Sequence, residues 1–183
     1  GLVNDLLTLS QLEGSPLPQM IEQFTLQDLM GPAEAEARAL SISNTKGNSR
    51  SQILKFEVPA AWSLVGSRHE IYSAVSNLVN NAVRYTPADG SVTCTWRKLP
   101  DQRLQFCVQD SGPGIAPEHL PRLTERVYRV DSGRSRSVGG TGLGLSLVKH
   151  IVDRHRGHLE IRSTVGTGTS VSVLLPVAPD AVI

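Results

Sequence analysis

The chain of 183 residues lacks several features that mark common classes of protein. It has only two cysteines, Cys94 and Cys107, which are too few for a disulfide framework and indicate free thiols in a reducing compartment. Its formal net charge of +1 argues against nucleic-acid binding driven by bulk electrostatics. No apolar run approaches membrane-spanning length, no signal peptide is visible, and no Gly-Lys-Ser/Thr of a P-loop occurs. These observations disfavour a secreted disulfide scaffold, a membrane-spanning domain and a P-loop enzyme.

The hydrophobic pattern predicts one globular domain in which helices pack on a sheet. Hydrophobic residues make up 39% of the chain and charged residues 19%, as in a soluble domain with a small appendage. Alternation places Cys94 toward the core and Cys107 on the opposite face of its strand. Periodicity predicts three helices, at 26–40, 68–85 and 143–156; Pro32 leaves the start of the first uncertain or kinked, and Gly157 would cap the third. It also predicts extended pieces at 53–58 and 62–65, and two hairpins, 91–97 with 103–109 and 158–163 with 169–175. The expected fold class is therefore a two-layer α/β (α+β) sandwich, with a mixed or antiparallel sheet of about five strands on three helices.

Two asparagines and an arginine fall in one narrow stripe of the helix at 68–85. Asn77, Asn81 and Arg84 have the spacing i, i+4, i+7, and their stripe lies at the edge of the apolar face. An amide oxygen is a neutral hard ligand suited to Mg²⁺, and a neighbouring cation suits phosphate. A solvated polar face is the alternative explanation of this stripe alone.

A short acidic and glycine-rich block, Asp110-Ser-Gly112-Pro-Gly114, follows the strand at 103–109 directly. A carboxylate at a strand end can accept a hydrogen bond from an exocyclic amine such as that of adenine. Glycines at 112 and 114 let the backbone approach a flat base closely. A plain Asp-Ser-Gly turn is the alternative.

A second glycine block, Gly140-Thr-Gly142-Leu-Gly144-Leu, leads straight into a helix. Free N–H groups at a helix start bind anions, and glycines remove the steric barrier to phosphate. An arginine-rich segment precedes this block where a dinucleotide-binding fold would have a strand, which disfavours that fold. The segment, 115–140, holds Arg122, Arg126, Arg129, Arg134 and Arg136, and is typical of a mobile lid over a polyanion, with a solvated basic loop as the alternative.

These blocks, in this order, resemble the ATP-binding catalytic domain of sensor histidine kinases within the GHKL ATPase superfamily. The stretch 77–85 resembles the N box, 110–114 the G1 box, 140–145 the G2 box, and Gly166-Thr-Gly168-Thr169 the last glycine box. The stretch 123–131 resembles the F box, although Thr124 and Val127 stand where phenylalanines are usual. Its Leu-Thr-Glu-Arg form, and Asp-Leu-Leu-Thr-Leu-Ser-Gln-Leu-Glu near the start, are similar to phosphate-regulon sensor kinases.

The resemblance implies a Bergerat-type ATP fold with a long ATP lid, and a role for each matching residue. Asn81 would hold Mg²⁺ between the phosphates, with Asn77 assisting, and Asp110 would fix the adenine amine. Arg129 would meet the γ-phosphate from the lid, so that Asn81 and Arg129 are the expected catalytic residues. The remaining expected nucleotide contacts are Arg84, Tyr85, Gly112, Gly114, Ile115, Arg134, Arg136, Gly140, Thr141, Gly142, Leu143, Gly144 and Thr169.

The resemblance also implies an organisation and a set of partners. Residues 1–14 resemble the end of the second helix of a dimerisation and phosphoacceptor hairpin, followed by a linker at 15–24, the ATP-binding domain at 25–178 and a tail at 179–183. The acceptor histidine is expected upstream of this chain, because it would lie on the first helix of the hairpin. His69-Glu70 is disfavoured as the acceptor, since Ser67-Arg-His-Glu70 has capping-box spacing inside the ATP-binding domain. Expected partners are that hairpin, a response regulator and a second copy in the full-length protein. We expect a cytoplasmic domain of a bacterial inner-membrane sensor, attached to the membrane only through missing upstream segments.

Two other functions are compatible with the same residues. One alternative is a GHKL protein-serine kinase of the anti-sigma type or an ATP-gated clamp, which share the fold but not the reaction; the helical stretch at 2–13 favours the histidine-kinase layout. A non-catalytic interaction module with a degenerate pocket would account for the two missing F-box phenylalanines.

Overall fold

The computed structural model describes residues 21–45, 47, 51–59, 62–101, 103–122 and 144–176. In these parts of the chain no helix is long and apolar enough to cross a bilayer. The elements in chain order are β1 (Glu22–Thr25), α1 (Leu26–Asn44), β2 (Ile53–Glu57), β3 (Ser63–Gly66), α2 (Arg68–Tyr85), β4 (Ser91–Lys98), β5 (Leu104–Asp110), a 3-10 helix (Pro117–Arg122), α3 (Gly144–Arg154), β6 (His158–Thr164) and β7 (Gly168–Leu175).

The predicted two-layer sandwich is confirmed in the described residues. Five strands form one sheet in the order β2-β4-β5-β7-β6, and α1, α2 and α3 pack on it. The sheet is mixed, because β2 runs parallel to β4 while the other neighbours are antiparallel. Register matters for the site, since Asp110 at the end of β5 lies opposite Thr169 at the start of β7.

Strict alternation along β4 and β5 builds the core between sheet and helices. Cys94 and Trp96 face inward from β4 and Phe106 from β5, while Cys107 points to the other face, as predicted. The rings of Trp96 and Phe106 lie 5.0 Å apart between centroids. Because Phe106 is fully buried, truncating it to alanine is expected to cost about 3–5 kcal/mol of folding free energy.

The two long helices begin at side-chain caps. Thr25 accepts a hydrogen bond from the Asp28 N–H at the start of α1, and Ser67 accepts one from the Glu70 N–H at the start of α2. The second cap falls where the sequence predicts a capping box at 67–70, but only its Ser67 half forms, because the Ser67 N–H donates to His155 Nε2 and the Glu70 carboxylate bonds Arg154. Helix α1 starts at Leu26 and continues through Pro32 to Asn44, so this proline lies inside the helix.

A small second sheet escapes the sequence-based prediction. Strand β1 pairs antiparallel with β3, with Glu22 opposite Gly66 and Thr25 opposite Ser63. Three of the four residues of β1 fall in the stretch 15–24, which the sequence predicts to be a linker. The extended piece predicted at 62–65 corresponds to β3, and the β1 pairing attaches the chain before α1 to the sandwich.

Candidate functional site

The two asparagines of the predicted stripe lie beside the start of α3. Asn77 and Asn81 are partly exposed on α2, and the Asn77 side chain donates to the Ser73 carbonyl at 2.7 Å. A Cβ atom added to Gly144 would lie 2.9 Å from Asn81 Nδ2 and 3.4 Å from Asn77 Oδ1. The side-chain amides of Asn77 and Asn81 therefore lie beside the start of α3, within the second glycine block. Backbone N–H groups at a helix start are free to bind an anion.

Asp110 is held at the end of β5 by two backbone groups. Its Oδ1 atom accepts hydrogen bonds from the Gly112 N–H at 2.9 Å and from the Thr169 N–H at 3.2 Å. Burial raises the pKa of the Asp110 carboxyl above its ordinary value, and these two hydrogen bonds offset part of that rise. Both bonds use Oδ1, so the carboxylate is fixed through one oxygen while Oδ2 takes part in neither.

The loop after Asp110 packs tightly between the end of α2 and the β6–β7 hairpin. A Cβ at Gly112 would lie 3.0 Å from the Tyr85 carbonyl oxygen, so a side chain there would force the loop and the end of α2 apart by a few tenths of an ångström. Gly114 has φ +78°, and a Cβ there would overlap the Thr164 carbonyl. The Gly166 N–H donates to the Pro113 carbonyl at 2.7 Å, which ties the loop to the tip of the hairpin.

Ser163 is a site-supporting residue that the motifs do not include. Its hydroxyl accepts from the Ile115 N–H at 2.7 Å and donates to the Gly168 carbonyl at 3.1 Å. The Thr169 hydroxyl lies 2.8 Å from Ser163 Oγ and, since the serine proton is used, acts as the donor of that pair. The signal for Ser163 is the hairpin register, which places it opposite Thr169.

The side-chain amides of Gln52 and Asn44 form hydrogen bonds to the end of α2, and the sequence analysis did not predict these contacts. The Val83 carbonyl accepts from Gln52 Nε2 at 2.9 Å and from Asn44 Nδ2 at 3.0 Å. Gln52 Nε2 also donates to the Thr86 carbonyl, and its Oε1 accepts from the Ser41 hydroxyl at 2.7 Å. These bonds satisfy carbonyls that a helix end leaves without partners. They fix the last turn of α2, which carries two expected nucleotide contacts, Arg84 and Tyr85.

Among the described residues, α2 carries Asn77, Asn81 and Tyr85. Gly144 lies against Asn81, and Gly112 lies against Tyr85, with Asp110 and Thr169 next to it. Arg84 lies partly exposed in the last turn of α2, and Ile115 follows the Asp110 loop. The remaining predicted contacts, together with the F-box-like stretch 123–131, lie outside the described residues: Arg129, Arg134, Arg136, Gly140, Thr141, Gly142 and Leu143.

A magnesium ion would find one kind of protein ligand here. Among the described residues no group of three or more His, Cys, Asp or Glu side chains could hold a metal. Mg²⁺ commonly keeps several waters and takes substrate phosphates with one or two protein oxygens. The side-chain amide of Asn81 lies beside the start of α3, and an oxygen ligand from this amide fits that mode.

Comparison with known proteins identifies the family. Residues 66–179 match the family described as Histidine kinase-, DNA gyrase B-, and HSP90-like ATPase. The chain belongs to this family of ATPases, and it is an ATP-binding domain of the kind found in sensor histidine kinases.

Its relatives by sequence are sensor kinases. The chain is similar to the phosphate regulon sensor protein PhoR of Pseudomonas aeruginosa, with 44% identity over 170 residues that cover 93% of this chain and 37% of that protein. It is 39% identical to the sensor histidine kinase RppB of Synechocystis over 176 residues, 96% of this chain and 37% of that protein. The chain therefore spans well under half the length of these relatives.

Solved structures show the same fold. A mycobacterial sensor histidine kinase, MprB, superimposes with a TM-score of 0.72 at 24% identity over 87% of this chain and 99% of that one. Full-length ShkA in complex with AMPPNP gives a TM-score of 0.79 at 23% identity over 98% of this chain and 36% of that one. These likenesses confirm the Bergerat-type sandwich.

Proposed function

We propose that this chain binds Mg·ATP and presents the γ-phosphoryl group to a histidine of a sensor kinase. The observation that carries the proposal is that α2 borders both parts of the site, a phosphate half-site at Asn81 and a purine half-site at Asp110. Gly144 at the start of α3 lies against Asn81, and Gly112 beside Asp110 lies against the Tyr85 carbonyl at the end of the same helix. A purine on the Asp110 side and a triphosphate on the Asn81 side are compatible with one bound nucleotide.

Each residue has a chemical task in this proposal. Asp110 would accept from the adenine amine, and Asn81, with Asn77 assisting, would hold a Mg²⁺ ion through amide oxygen, which would neutralise charge on the phosphates. Arg84 contacts phosphate, and Arg129 of the lid segment meets the γ-phosphoryl group. Catalysis in such a site rests on positioning and charge stabilisation, because the enzyme itself forms few bonds.

The acceptor in this proposal is an imidazole nitrogen outside the residues described here. The bond between the γ-phosphorus and its bridging oxygen breaks, a phosphorus–nitrogen bond forms, and ADP leaves. His69 is a poor acceptor because the carboxylate of the neighbouring Glu70 is buried and paired with Arg154. His155 is also engaged, since its Nε2 accepts from the Ser67 N–H at 3.1 Å.

Titration of the chain with AMPPNP and Mg²⁺ tests the binding step. Asn81→Ala is expected to weaken affinity about ten- to hundredfold and to reduce its dependence on Mg²⁺, because a ligand of the metal is lost. Asn80→Ala is the matched control, since Asn80 is the adjacent asparagine of α2 but donates to Glu36 on α1 at 2.9 Å. Equal affinity of the Asn81 variant and the wild type, or no saturable binding by the wild type, would refute the proposal.

The transfer step is tested with the full-length sensor and [γ-³²P]ATP. Phosphohistidine is acid-labile and stable to alkali, so its appearance supports the kinase assignment. An acid-stable product would indicate a hydroxyl acceptor, as in a serine kinase, and binding without transfer would indicate a clamp or an interaction module.

The likeness to PhoR supports a finer proposal about the signal. We propose that the full-length protein is a homodimeric sensor whose catalytic domain faces the cytoplasm, and that it passes phosphoryl groups to a response regulator under phosphate limitation. Deleting its gene should abolish induction of phosphate-starvation genes at low phosphate. Normal induction in the deletion strain would overturn this assignment while leaving ATP binding intact.

A further inference from the structure

Helices α2 and α3 run antiparallel and meet at both ends. At one end Gly144 of α3 lies against Asn81 of α2, as described above. At the other end Arg154 of α3 bonds Glu70 of α2. Neither the motifs nor the proposed chemistry uses this second end.

The contact at the second end is a buried, bidentate ion pair. Arg154 Nε lies 2.8 Å from Glu70 Oε1, and Arg154 Nη2 lies 3.0 Å from Glu70 Oε2. The two side chains are only 4% and 7% exposed. Taking two charges out of water is costly, so a buried pair is weak evidence for stability, and its best-attested role is to fix a register between helices.

A second polar contact lies at the same end. His155 Nε2 accepts from the Ser67 N–H at 3.1 Å, while Nδ1 bonds the Ile151 carbonyl at 2.8 Å. Gly66 admits this ring, since a Cβ there would lie 2.9 Å from His155 Cδ2. Arg154 at the end of α3 is thus bonded to the first turn of α2, and His155, the next residue, is bonded to Ser67, the N-cap of α2.

The distances along the two helices match. Gly144 and Arg154 are ten residues apart, which corresponds to a rise of about 15 Å. Glu70 and Asn81 are eleven residues apart on α2, a rise of about 16 Å. A slip of α3 by one turn would move its start by about 5 Å and separate Gly144 from Asn81.

We propose that the Glu70–Arg154 pair is a positioning device that sets the axial register of α3 on α2, and thereby sets the phosphate-binding helix start beside Asn81. This inference rests on the proposed nucleotide site. Asp110 and Thr169 belong to β5 and β7, so the purine half-site does not depend on this register. Loss of the pair should therefore weaken binding of the phosphates and spare binding of the nucleoside.

The test replaces both charges at once with apolar side chains. In Glu70→Leu/Arg154→Met, no single buried charge is left behind, and well-packed apolar replacements of buried pairs commonly retain stability. The ratio of the dissociation constants of adenosine and Mg·AMPPNP, measured well below the melting temperature, is expected to fall at least about tenfold, the effect of losing a hydrogen bond to a charged group. Adenosine affinity itself should stay within about twofold of the wild type.

The matched control removes an exposed pair from the same helix. Lys149 Nζ lies 2.9 Å from Asp153 Oδ1, and both side chains are about half exposed. Lys149→Ala/Asp153→Ala should leave the ratio unchanged, because such i, i+4 surface pairs contribute little.

Two outcomes would overturn the inference, and a third would refute the proposed function. A folded Glu70→Leu/Arg154→Met protein with the wild-type ratio overturns it, even if that variant melts at a lower temperature. If the double variant does not fold, Arg154→Lys keeps the charge but not the bidentate geometry, and an unchanged ratio in this variant also overturns the inference. Failure of the wild type to bind Mg·AMPPNP would instead refute the proposed function, so the two failures are distinguishable.

Discussion

A single methyl group at Gly144 should separate nucleotide binding from folding. The Cβ of Gly144→Ala would lie 2.9 Å from Asn81 Nδ2, whereas ordinary contact begins at 3.4 Å, so the Asn81 amide has to move by about 0.5 Å. The neighbouring atom is the end of a side chain, and the shift therefore need not disturb the backbone. The first residue of α3 gains little helix propensity from the change, and we expect the stability to stay within about 1 kcal/mol of the wild type.

The affinity for Mg·AMPPNP should respond far more than the stability. The moved amide is the expected Mg²⁺ ligand, and the loss of a contact to a charged group is worth about 1.5–3 kcal/mol, or about ten- to hundredfold in dissociation constant. Isothermal titration calorimetry at saturating Mg²⁺ measures the affinity, and thermal unfolding of the same samples measures the stability.

Gly31→Ala is the matched control for this experiment. Gly31 lies inside α1, and a Cβ there would meet nothing within 4 Å. This variant should bind the nucleotide as the wild type does, because its Cβ lies away from the site; Pro32 follows directly, so helix propensity and crowding by the proline ring act in opposite directions on its stability. Wild-type affinity in folded Gly144→Ala would refute the reasoning that the Asn81 amide must occupy its present position for binding.

Three further predictions concern other parts of the site and the two thiols. Burial raises the pKa of the Asp110 carboxyl, so the folded state binds this proton more tightly than the unfolded state. The wild type should therefore gain stability relative to Asp110→Asn as the pH falls through the folded-state pKa toward 3.8. Urea titrations across the acid range measure this difference in stability, and a difference that shrinks on acidification would contradict the prediction. Ser163→Ala should lower the unfolding free energy by about 1–2 kcal/mol and weaken adenosine binding, because it breaks the hydroxyl network under Thr169; Ser170→Ala, which removes a hydroxyl bonded to Cys107, should leave adenosine affinity unchanged. Burial raises the pKa of the Cys94 thiol to about 12, so iodoacetamide should label the partly exposed Cys107 first, and mass spectrometry showing early labelling of Cys94 would contradict the fold.

The fold was predictable where periodicity is strong. The helix at 68–85 and the two hairpins carry clear apolar periods and turn residues, and the structure reproduces them to within about two residues. Strand β1 was missed because four residues give no measurable alternation, and its pairing with β3 is set by tertiary contact.

One helix end shows how a correct boundary can have a wrong cause. The sequence predicts a helix that ends at about Arg156 with Gly157 as its cap, and glycine at such a position usually takes the left-handed conformation. In the structure Arg156 has the positive φ of 58°, and the Gly157 N–H donates to the Val152 carbonyl at 2.8 Å. Gly157 is required for a different reason, since a Cβ there would overlap the Leu174 carbonyl of β7. Such packing across the chain is invisible to local pattern.

The candidate site divides in the same way. Asn81, Asp110 and Gly144 were predictable because their residue types are unusual in their local contexts, and the structure places them around α2. Gln52 and Ser163 were not predictable, because their roles depend on partners 31 and 48 residues away along the chain. Supporting polar contacts of this kind carry no local signature.

The order of the strands has a consequence for how the protein is made. Strand β7 leaves the ribosome last of the five, yet it lies between β5 and β6 in the sheet. Until it emerges, β6 has no neighbour to pair with, and Asp110 lacks the backbone donor of Thr169. If the proposed function holds, the nascent chain therefore cannot complete the Asp110 end of the nucleotide site before β7 has been translated.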